Sequence, residues 1–285
     1  MRIGIIGAGK VGFTLGKYFQ IRGIPLSGYY SLTEAHAKQA AAFTQSTCFS
    51  TLEAIVAASD ALFLTVPDGA IRQCYEALPK NSIKGKLICH CSGALSSQDA
   101  FPGISEHGAF GYSVHPLFAV SDPLEAYQEL TDVFFCIEGD PAHLADVEGL
   151  LRQCGNPVQI LDPADKVRYH AAAAMASNLV IGLVAESLDL MTSCGFTQEG
   201  ALQALRPILL GNMAHVAQDG PVASLTGPVE RCDTETVSKH LAAMPTEETR
   251  MLYQLLSQKL VQVAQEKHPE RNYQPMKDCL KGDKS

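Results

Sequence analysis

The 285-residue sequence predicts an α/β fold, with a doubly wound, mostly parallel sheet followed by an all-helical C-terminal domain. Short apolar runs alternate with helical patterns through the first part of the chain, and this alternation is typical of a parallel sheet with helices on both faces. Beyond Asp162 the strand patterns give way to long helical runs. We therefore predict a nucleotide-binding sheet domain over 1–162 and a helical substrate and dimerisation domain over 163–285.

Each predicted element follows from its apolar period. Strands are predicted at 2–6, 26–30, 61–66, 86–91, 110–114, 132–137 and 157–161. Helices are predicted at 10–22, 33–43, 51–58, 68–78 and 141–153, and then at 163–194, 197–217, 234–243 and 246–267. The polar residues from His268 onward predict a loose tail.

The first predicted strand runs directly into a glycine-rich turn and a helix. Gly7, Gly9 and Gly12 fit the pattern G-x-G-x-x-G, in which the glycines permit a tight turn, backbone approach to a pyrophosphate and close packing of helix on strand. The helix N-terminus adds N–H groups and a positive dipole end. The pattern predicts a Rossmann dinucleotide site formed by Gly7, Ala8, Gly9, Lys10, Val11 and Gly12.

The end of the second predicted strand favours NADP over NAD. NAD sites place an acidic residue about 20 positions after the glycines, where it binds the ribose 2′-hydroxyl. This strand ends instead in Tyr30 and Ser31, with Thr33 next, and Glu34 falls in the first turn of the following helix. The hydroxyl groups at Ser31 and Thr33 can bind a 2′-phosphate, so we predict that Tyr30, Ser31 and Thr33 contact NADP.

Three further strand ends are predicted at the ligand-binding edge of the sheet. Val66, Pro67 and Asp68 follow one strand; we expect their backbone to line the cofactor site and the Asp68 side chain to cap the next helix. The other two strand ends carry Ser92–Gly93 and His115, which we predict to contact substrate. Strand alternation places His90 opposite Cys89 and Cys91, so no metal site is expected there.

The start of the long helix is unusually polar. Asp162 suits the N-cap and Pro163 the first helical position, but Lys166, Arg168 and His170 then oppose the helix dipole. Local pairing of Arg168 with an aspartate is one explanation, and an anionic ligand beside Lys166 and His170 is the other. Lys166, His170 and Ser177 share one helical face with Asn178 beside it, which predicts a pocket wall.

A second polar cluster follows a rigid Gly-Pro turn at 227–228. Arg231 can bind a carboxylate with two parallel hydrogen bonds. Asp233 can contribute to the same substrate site, or it can pair with Arg231 in a purely structural turn.

Composition limits the remaining partners. A formal net charge of −8 argues against nucleic acid, which requires a basic surface. Nine scattered cysteines without C-x-x-C spacing predict reduced thiols in the cytoplasm. Residues 169–185 carry no charge, but the stretch is shorter than a membrane span, so we expect a buried helix and no membrane contact. The low charged fraction of 18% favours a homodimer.

With these residues in view, the chain resembles Rossmann-type proteins that carry a helical C-terminal domain of unknown function. Related folds are pyrroline-5-carboxylate reductases, deazaflavin-dependent NADP reductases and ketopantoate reductase-like proteins. The resemblance covers nearly the whole chain and rests on several short motifs. These are G-A-G-K-V-G at 7–12, V-P-D-G-A-I at 66–71, H-C-S-G-A at 90–94, H-P at 115–116, K-V-R-Y-H at 166–170, S-N at 177–178 and L-T-G-P-V-E-R-C-D at 225–233. The family usually has glycine where Cys232 stands.

The resemblance implies an NADPH-dependent oxidoreductase that transfers hydride to a small 2-keto or imino acid, with ketopantoate as one candidate. In related hydroxyacid dehydrogenases a lysine begins the long helix and an asparagine follows four residues later. Lys166 matches that lysine and His170 replaces the asparagine, so either can be the proton donor. Asn178 is then expected to orient the substrate. The alternatives are a non-catalytic NADPH sensor and a protein that binds another adenosyl cofactor.

Overall fold

The computed structural model describes residues 1–281, and the chain forms two compact units. The first unit is Met1–Ser177, and the second begins at Asn178. The first unit therefore includes the helix Lys166–Ala176, which the sequence analysis assigned to the second domain.

The first unit is built on one eight-stranded sheet with the strand order β3-β2-β1-β4-β5-β6-β7-β8. Neighbouring strands are parallel except for β6 and β7, which are antiparallel. The strands are β1 Ile3–Ile6, β2 Leu26–Tyr30, β3 Thr47–Cys48, β4 Ala61–Leu64, β5 Leu87–His90, β6 Phe110–Pro116, β7 Phe135–Gly139 and β8 Val158–Ile160. The predicted fold class is confirmed; only β3, two residues long, went unpredicted.

Helices cover both faces of this sheet. They are α1 Lys10–Ile21, α2 Glu34–Thr44, α3 Leu52–Ala58, α4 Asp68–Glu76, α5 Ser97–Ala100, α6 Leu144–Gln153 and α7 Lys166–Ala176. One apolar core includes Phe19 of α1 and Phe63 of β4, and the other includes Tyr75 of α4 and Phe101. Each fully buried aromatic side chain contributes about 1.5–3 kcal/mol through removal of apolar surface from water. The two cores fix the strand ends that carry the candidate site.

The second unit is helical throughout its described residues. It contains α8 Asn178–Ser193, α9 Gln198–Ser224, α10 Thr234–Ala243, α11 Glu247–Lys267 and α12 Gln274–Lys281. Helix α9 is kinked at Gly220, which has a φ of 78°. The prediction of a loose tail from His268 is wrong, because Met276 and Leu280 form an apolar i, i+4 pair that buries α12 against the unit's core.

The predicted helix over 163–194 is interrupted at Ser177, where φ is −125° and ψ is −84°. Within residues 1–281, Pro163–Ser193 is the one helical stretch long and apolar enough to cross a membrane, with a mean hydropathy of 1.6. The prediction that it is buried is wrong for a single copy of the chain: none of its most apolar window is buried. The stretch therefore presents an exposed apolar surface in a single copy of the chain.

Candidate active site

The glycine-rich turn joins β1 to α1 in a shape that suits a phosphate. Gly7 has a φ of +105°, a backbone conformation that side chains disfavour, and a Cβ on Gly12 would lie 2.2 Å from the Gly7 carbonyl oxygen. No neighbouring atom lies within 4 Å of a Cβ built on Gly9. Gly9 caps α1 without a side chain, and no acidic residue occupies the first turn. The first-turn amides are therefore open to an anion.

A cavity of about 370 Å³ extends from this turn along the carboxyl ends of β1, β2 and β4. Its lining includes eight residues that the sequence analysis assigned to the cofactor: Gly7, Ala8, Gly9, Tyr30, Ser31, Thr33, Val66 and Pro67. Lys10, Val11, Gly12 and Asp68 do not line it. The cavity also includes residues that the sequence analysis missed, namely Leu32, Leu52, Ala70, Gln73, Cys74 and Ala77. Ala70, Gln73, Cys74 and Ala77 follow helical spacing, which is the signal that could have identified them.

The cavity has the character of a nucleotide site. Its walls are mostly apolar, as a flat heteroaromatic base requires, and its glycine end exposes the first turn of α1. No Asp or Glu is among the described residues that line it. The hydroxyl groups of Ser31 and Thr33 are at the β2 end, where an acidic residue would repel a 2′-phosphate.

Asp68 connects the cofactor cavity to a second strand end. It follows Pro67, and its Oδ2 accepts a hydrogen bond of 2.6 Å from the Ser92 hydroxyl. The predicted capping role of Asp68 is wrong, because Pro67 is the N-cap of α4 and no side chain caps this helix. The carboxylate instead stabilises the turn after β5.

Ser92 belongs to that turn and is bound into it by several hydrogen bonds. It is 4% exposed, and its hydroxyl also accepts hydrogen bonds from the backbone N–H groups of Ala94 and Leu95. Its own N–H donates to Nδ1 of His90 at 3.1 Å. Every polar group of Ser92 has a partner, and these hydrogen bonds hold the shape of the turn. The predicted contact of Ser92 with substrate stays a prediction.

The side chain of Lys166 reaches the same turn with its terminal ammonium group. It is 1% exposed, and its Nζ donates a hydrogen bond of 3.0 Å to the Ser92 carbonyl oxygen. Burial lowers the pKa of Lys166, and the negative charges of Glu138 and Asp68 oppose that shift. A buried ammonium is costly unless it is paired, so these carboxylates are part of the site.

Glu138 is a site residue that the sequence analysis missed. It lies on β7 opposite Ser113, is 1% exposed, and accepts hydrogen bonds of 2.8 and 2.7 Å from the N–H and hydroxyl of Ser97. The sequence signal that could have identified Glu138 is its position as an acidic residue inside the apolar run F-C-I-E-G. Such a residue needs partners, and it supplies a fixed negative charge near Lys166.

His90, the last residue of β5, accepts the hydrogen bond from the Ser92 N–H. It lies in register with Ser113, and Ser113 with Glu138, so the three form a polar row across β5, β6 and β7. Burial, followed by the charge of Lys166, lowers the pKa of His90 to about 3. His90 is therefore a neutral acceptor for the Ser92 N–H. Among residues 1–281 no group of three or more His, Cys, Asp or Glu side chains could hold a metal ion.

Two histidines and a tyrosine lie close to the turn that contains Gly93. Nδ1 of His115 is 2.8 Å from the hydroxyl of Tyr169. The sequence analysis missed Tyr169. A Cβ on Gly93 would lie 2.3 Å from Nδ1 of His170 and 3.0 Å from Nε2 of His115. Burial, together with the charges of Lys166 and His170, lowers the pKa of His115 to about 4. The first unit thus brings together Lys166, His170, His115, Gly93 and the Ser92 turn.

These buried histidines predict a loss of stability in acid. Because the folded-state pKa of His115 is depressed to about 4 and that of His90 to about 3, the unfolded chain binds more protons below pH 6.5. Each histidine should then lower the unfolding free energy by at most about 1.4 kcal/mol per pH unit as the pH falls. Urea unfolding across this range should show a shallower acid decline for His90→Gln than for the wild type. His36→Gln, at an exposed position, is the control, and an equal slope in all three proteins would contradict the assignment.

The remaining predicted site residues lie at or beyond the end of the first unit. The Ser177 hydroxyl donates to the Ala173 carbonyl at 2.8 Å, and Asn178 begins α8. Arg231 is exposed in the second unit. Asp233 caps α10: both of its carboxylate oxygens accept hydrogen bonds from Thr236, one from the backbone N–H and one from the hydroxyl. Its predicted contact with substrate stays a prediction.

Two local predictions were correct. Arg168 forms an ion pair with Asp165, so the local explanation accounts for that cation, and Asp162 accepts from the Ala164 N–H at 2.8 Å as a cap. Cys232 has a φ of 61°, in the left-handed region that favours glycine, which explains why the resembled family usually has glycine there.

A mostly parallel sheet with a glycine-rich turn that opens onto a cavity at the carboxyl ends of its strands defines a Rossmann-like fold. Residues 1–116 match the family model of a Rossmann-like domain, and residues 133–260 match that of a domain of unknown function, DUF2520. The domain architecture that the resemblance implied is confirmed. No curated protein matches this chain.

Solved structures share this fold across most of the chain. Protein TM1727 from Thermotoga maritima is 23% identical with a TM-score of 0.73, covering 93% of this chain and 98% of its own. A reductive aminase from Aspergillus terreus, in complex with NADPH and ethyl levulinate, is 20% identical with a TM-score of 0.65, covering 92% and 93%. An imine reductase from Myxococcus stipitatus, in complex with NADP+, is 17% identical with a TM-score of 0.61, covering 93% of each chain.

Proposed function

We propose that this protein is an NADPH-dependent reductase that acts on a small 2-keto or imino acid, ketopantoate being one candidate. The observation that carries the proposal is the buried ammonium group of Lys166, hydrogen-bonded to Ser92. A fixed positive charge beside the strand end that carries Ser92 would stabilise negative charge that develops on a substrate oxygen or nitrogen bound there. Asp68 follows Pro67, which lines the cavity, and accepts the hydrogen bond from the Ser92 hydroxyl. The turn that binds Lys166 is therefore linked to the wall of the cofactor cavity.

Bound NADPH would supply the hydride, and the protein would supply position, charge and a proton. The first turn of α1 would hold the pyrophosphate, with Ser31 and Thr33 at the 2′-phosphate. His115 is neutral near pH 7, because its pKa is lowered to about 4, so Lys166 is the fixed cation at the turn. Asn178 and Arg231 remain predicted substrate contacts from the second unit.

Two structural neighbours support carbonyl or imine chemistry. The reductive aminase binds NADPH together with ethyl levulinate, a keto ester, and the imine reductase binds NADP+. A ketone and an imine present the same problem to a reductase, since both accept hydride at carbon while negative charge grows on the neighbouring heteroatom. A single fixed cation such as Lys166 serves either substrate class.

The direct test is NADPH oxidation by the wild-type protein against a panel of small keto and imino acids that includes ketopantoate. We expect NADPH to bind and at least one substrate class to be reduced. Tight NADPH binding with no turnover across the panel would favour the sensor alternative. Binding of S-adenosylmethionine but not NADPH would overturn the proposal.

The cofactor preference has its own test in Ser31→Glu. A carboxylate at this wall of the cavity would repel the 2′-phosphate of NADPH and offer an acceptor to the 2′-hydroxyl of NADH. We expect the dissociation constant of NADPH to rise by about 10-fold or more, while that of NADH changes by less. Ser82→Glu, exposed and outside the cavity, controls for the added charge. Equal losses for both cofactors would contradict the assignment.

We also propose that the protein is a homodimer. Large apolar side chains are exposed along three helices of the second unit: Leu179, Ile181 and Leu183 on α8; Leu202, Ile208, Leu210 and Met213 on α9; and Met251, Leu252, Leu255, Leu256 and Leu260 on α11. Soluble monomers rarely expose apolar surface on this scale, and a second copy would bury it.

Sedimentation velocity tests this arrangement. The wild type should sediment as a dimer, and Leu210→Glu, at a position that is 67% exposed, should shift the population toward monomer. Leu124→Glu, at a position 53% exposed in the first unit, is the matched control. A monomeric wild type that binds lipid vesicles would instead assign the apolar surface to a membrane.

The cysteines support a reducing compartment. All nine are free of disulfides, and Cys89 and Cys91 are close in sequence on a buried strand end without forming one. We therefore propose that the protein works in the cytoplasm.

A further inference from the structure

The lining of the cofactor cavity assigns that cavity to one half of the dinucleotide. Its described lining residues follow β1, β2 and β4, and none of them belongs to β5 or to the Ser92 turn. In the sheet order β2-β1-β4-β5, the β2 side of the cavity is the side farthest from that turn. The proposed function requires the nicotinamide near the turn that binds Lys166. The cavity therefore suits the adenosine half of the cofactor.

Leu32 is the one large apolar side chain of this cavity that the folded chain leaves almost uncovered. It is 95% exposed, the highest value for a large apolar residue within 1–281, and it lines the cavity. A single exposed leucine is ordinary on a protein surface. A leucine that also lines a cavity offers its apolar surface to whatever binds there. Leu32 lies between Ser31 and Thr33, which we assign to the 2′-phosphate.

The face of α4 that lines the cavity is made mostly of small side chains. Ala70, Gln73, Cys74 and Ala77 line it at positions i, i+3, i+4 and i+7, which share one helical face. Alanine and cysteine leave the adjacent space open for a flat ring. None of the described residues that line the cavity carries a formal charge. A base that binds here is therefore held by apolar contact.

We propose that Leu32 covers the adenine base of the bound dinucleotide and thereby sets the affinity of the protein for the adenosine half. Its side chain is available for this contact, because almost none of its surface touches the chain. Covering the base removes apolar surface of both partners from water. The α4 face supplies the base with further apolar contact. This inference rests on the cofactor part of the proposed function.

Equilibrium binding to Leu32→Ala tests this role. The dissociation constants of NADPH and of 2′-phospho-ADP-ribose, which lacks the nicotinamide, should both rise by about 10-fold because an apolar contact is lost. The melting temperature of the ligand-free protein should stay the same, since Leu32 is exposed. Leu32→Met keeps an apolar side chain and should bind both ligands within about 2-fold of the wild type.

Leu124→Ala is the matched control for this substitution. Leu124 is 53% exposed in the first unit and does not line the cavity. Its replacement should change neither dissociation constant. Wild-type affinity of Leu32→Ala for 2′-phospho-ADP-ribose would overturn the inference.

A fluorescent analogue reports on the base directly. The base of 1,N6-etheno-NADP+ is fluorescent, and a base that Leu32 covers is shielded from a neutral collisional quencher such as acrylamide. With the analogue fully bound, acrylamide should quench Leu32→Ala several-fold more strongly than the wild type or Leu124→Ala. Equal quenching in all three proteins would overturn the inference, whatever their affinities.

The α4 face allows a test in the opposite direction, by the addition of volume. Ala77 lines the cavity and is exposed, so Ala77→Leu takes space from the base while the fold accepts the larger side chain. We expect the dissociation constant of 2′-phospho-ADP-ribose to rise by about 10-fold or more. Ala57→Leu, exposed on α3 and outside the cavity, is the control. Full affinity in Ala77→Leu would place the base elsewhere and overturn the inference.

These measurements separate the inference from the proposed function. A wild type that binds 2′-phospho-ADP-ribose in a Leu32-dependent manner but reduces no keto or imino acid would overturn the reductase function alone. A wild type that binds NADPH and reduces such a substrate, with affinity and quenching unchanged in Leu32→Ala, would overturn the inference alone.

Discussion

Lys166→Met is expected to lower turnover by about 10²–10³-fold while the dissociation constant of NADPH changes by less than about 3-fold. Methionine keeps most of the volume of the buried stem but removes the ammonium that lies against the Ser92 carbonyl. The transition state then loses its fixed positive charge, whereas the glycine turn and the cavity walls are untouched. Single-turnover rates and equilibrium titrations of NADPH measure the two effects separately.

Lys86→Met is the matched control for this change. The Lys86 ammonium also donates to a backbone carbonyl, that of Ser59, at 2.6 Å, but it lies just before β5, at the opposite end of that strand from the Ser92 turn. Its loss should cost some stability and no turnover. Equal turnover in Lys166→Met and the wild type would remove Lys166 from the mechanism and leave the Ser92 turn as a purely structural feature.

The sheet and the cofactor cavity could be predicted because their signals are local. A strand, three glycines and a helix occupy 3–21 without interruption, and each glycine has a backbone requirement that the structure displays at Gly7 and Gly12. Apolar alternation located seven of the eight strands. Leu52 and Cys74 were missed because a cavity wall made of ordinary apolar residues looks like core in a sequence.

The contacts around Ser92, Lys166 and Glu138 could not be predicted because they join distant parts of the chain. Asp68 looks like a helix cap, and its true partner is Ser92, 24 residues away. Lys166 and Ser92 are 74 residues apart, and the Ser97 partner of Glu138 is 41 residues away. Nothing in the sequence around any of these residues specifies its partner, because each contact joins separate elements that only the folded first unit brings together.

The same reasoning explains the wrong prediction for the helix after Asp162. An uncharged apolar helix favours burial, but the sequence does not specify whether the residues that would bury it belong to the same chain. In a single copy the apolar positions of this stretch, such as Val167 and Ile181, remain 70% and 69% exposed. Composition therefore predicted a long apolar helical stretch correctly and its burial within one copy of the chain incorrectly.

Gly93→Ala is expected to lower turnover by about 100-fold with NADPH affinity unchanged, because small displacements of a reacting group carry losses of this size. The added methyl would lie 2.3 Å from Nδ1 of His170 and 3.0 Å from Nε2 of His115, so the His170 ring must shift and the His115 ring must give slightly. Gly93 has no left-handed backbone requirement, so the change tests space alone. Gly149→Ala, where a Cβ meets nothing within 4 Å, is the control and should leave turnover intact. If Gly93→Ala keeps full turnover, the histidines tolerate displacement, and the convergence of their ring nitrogens above the turn has no part in the chemistry.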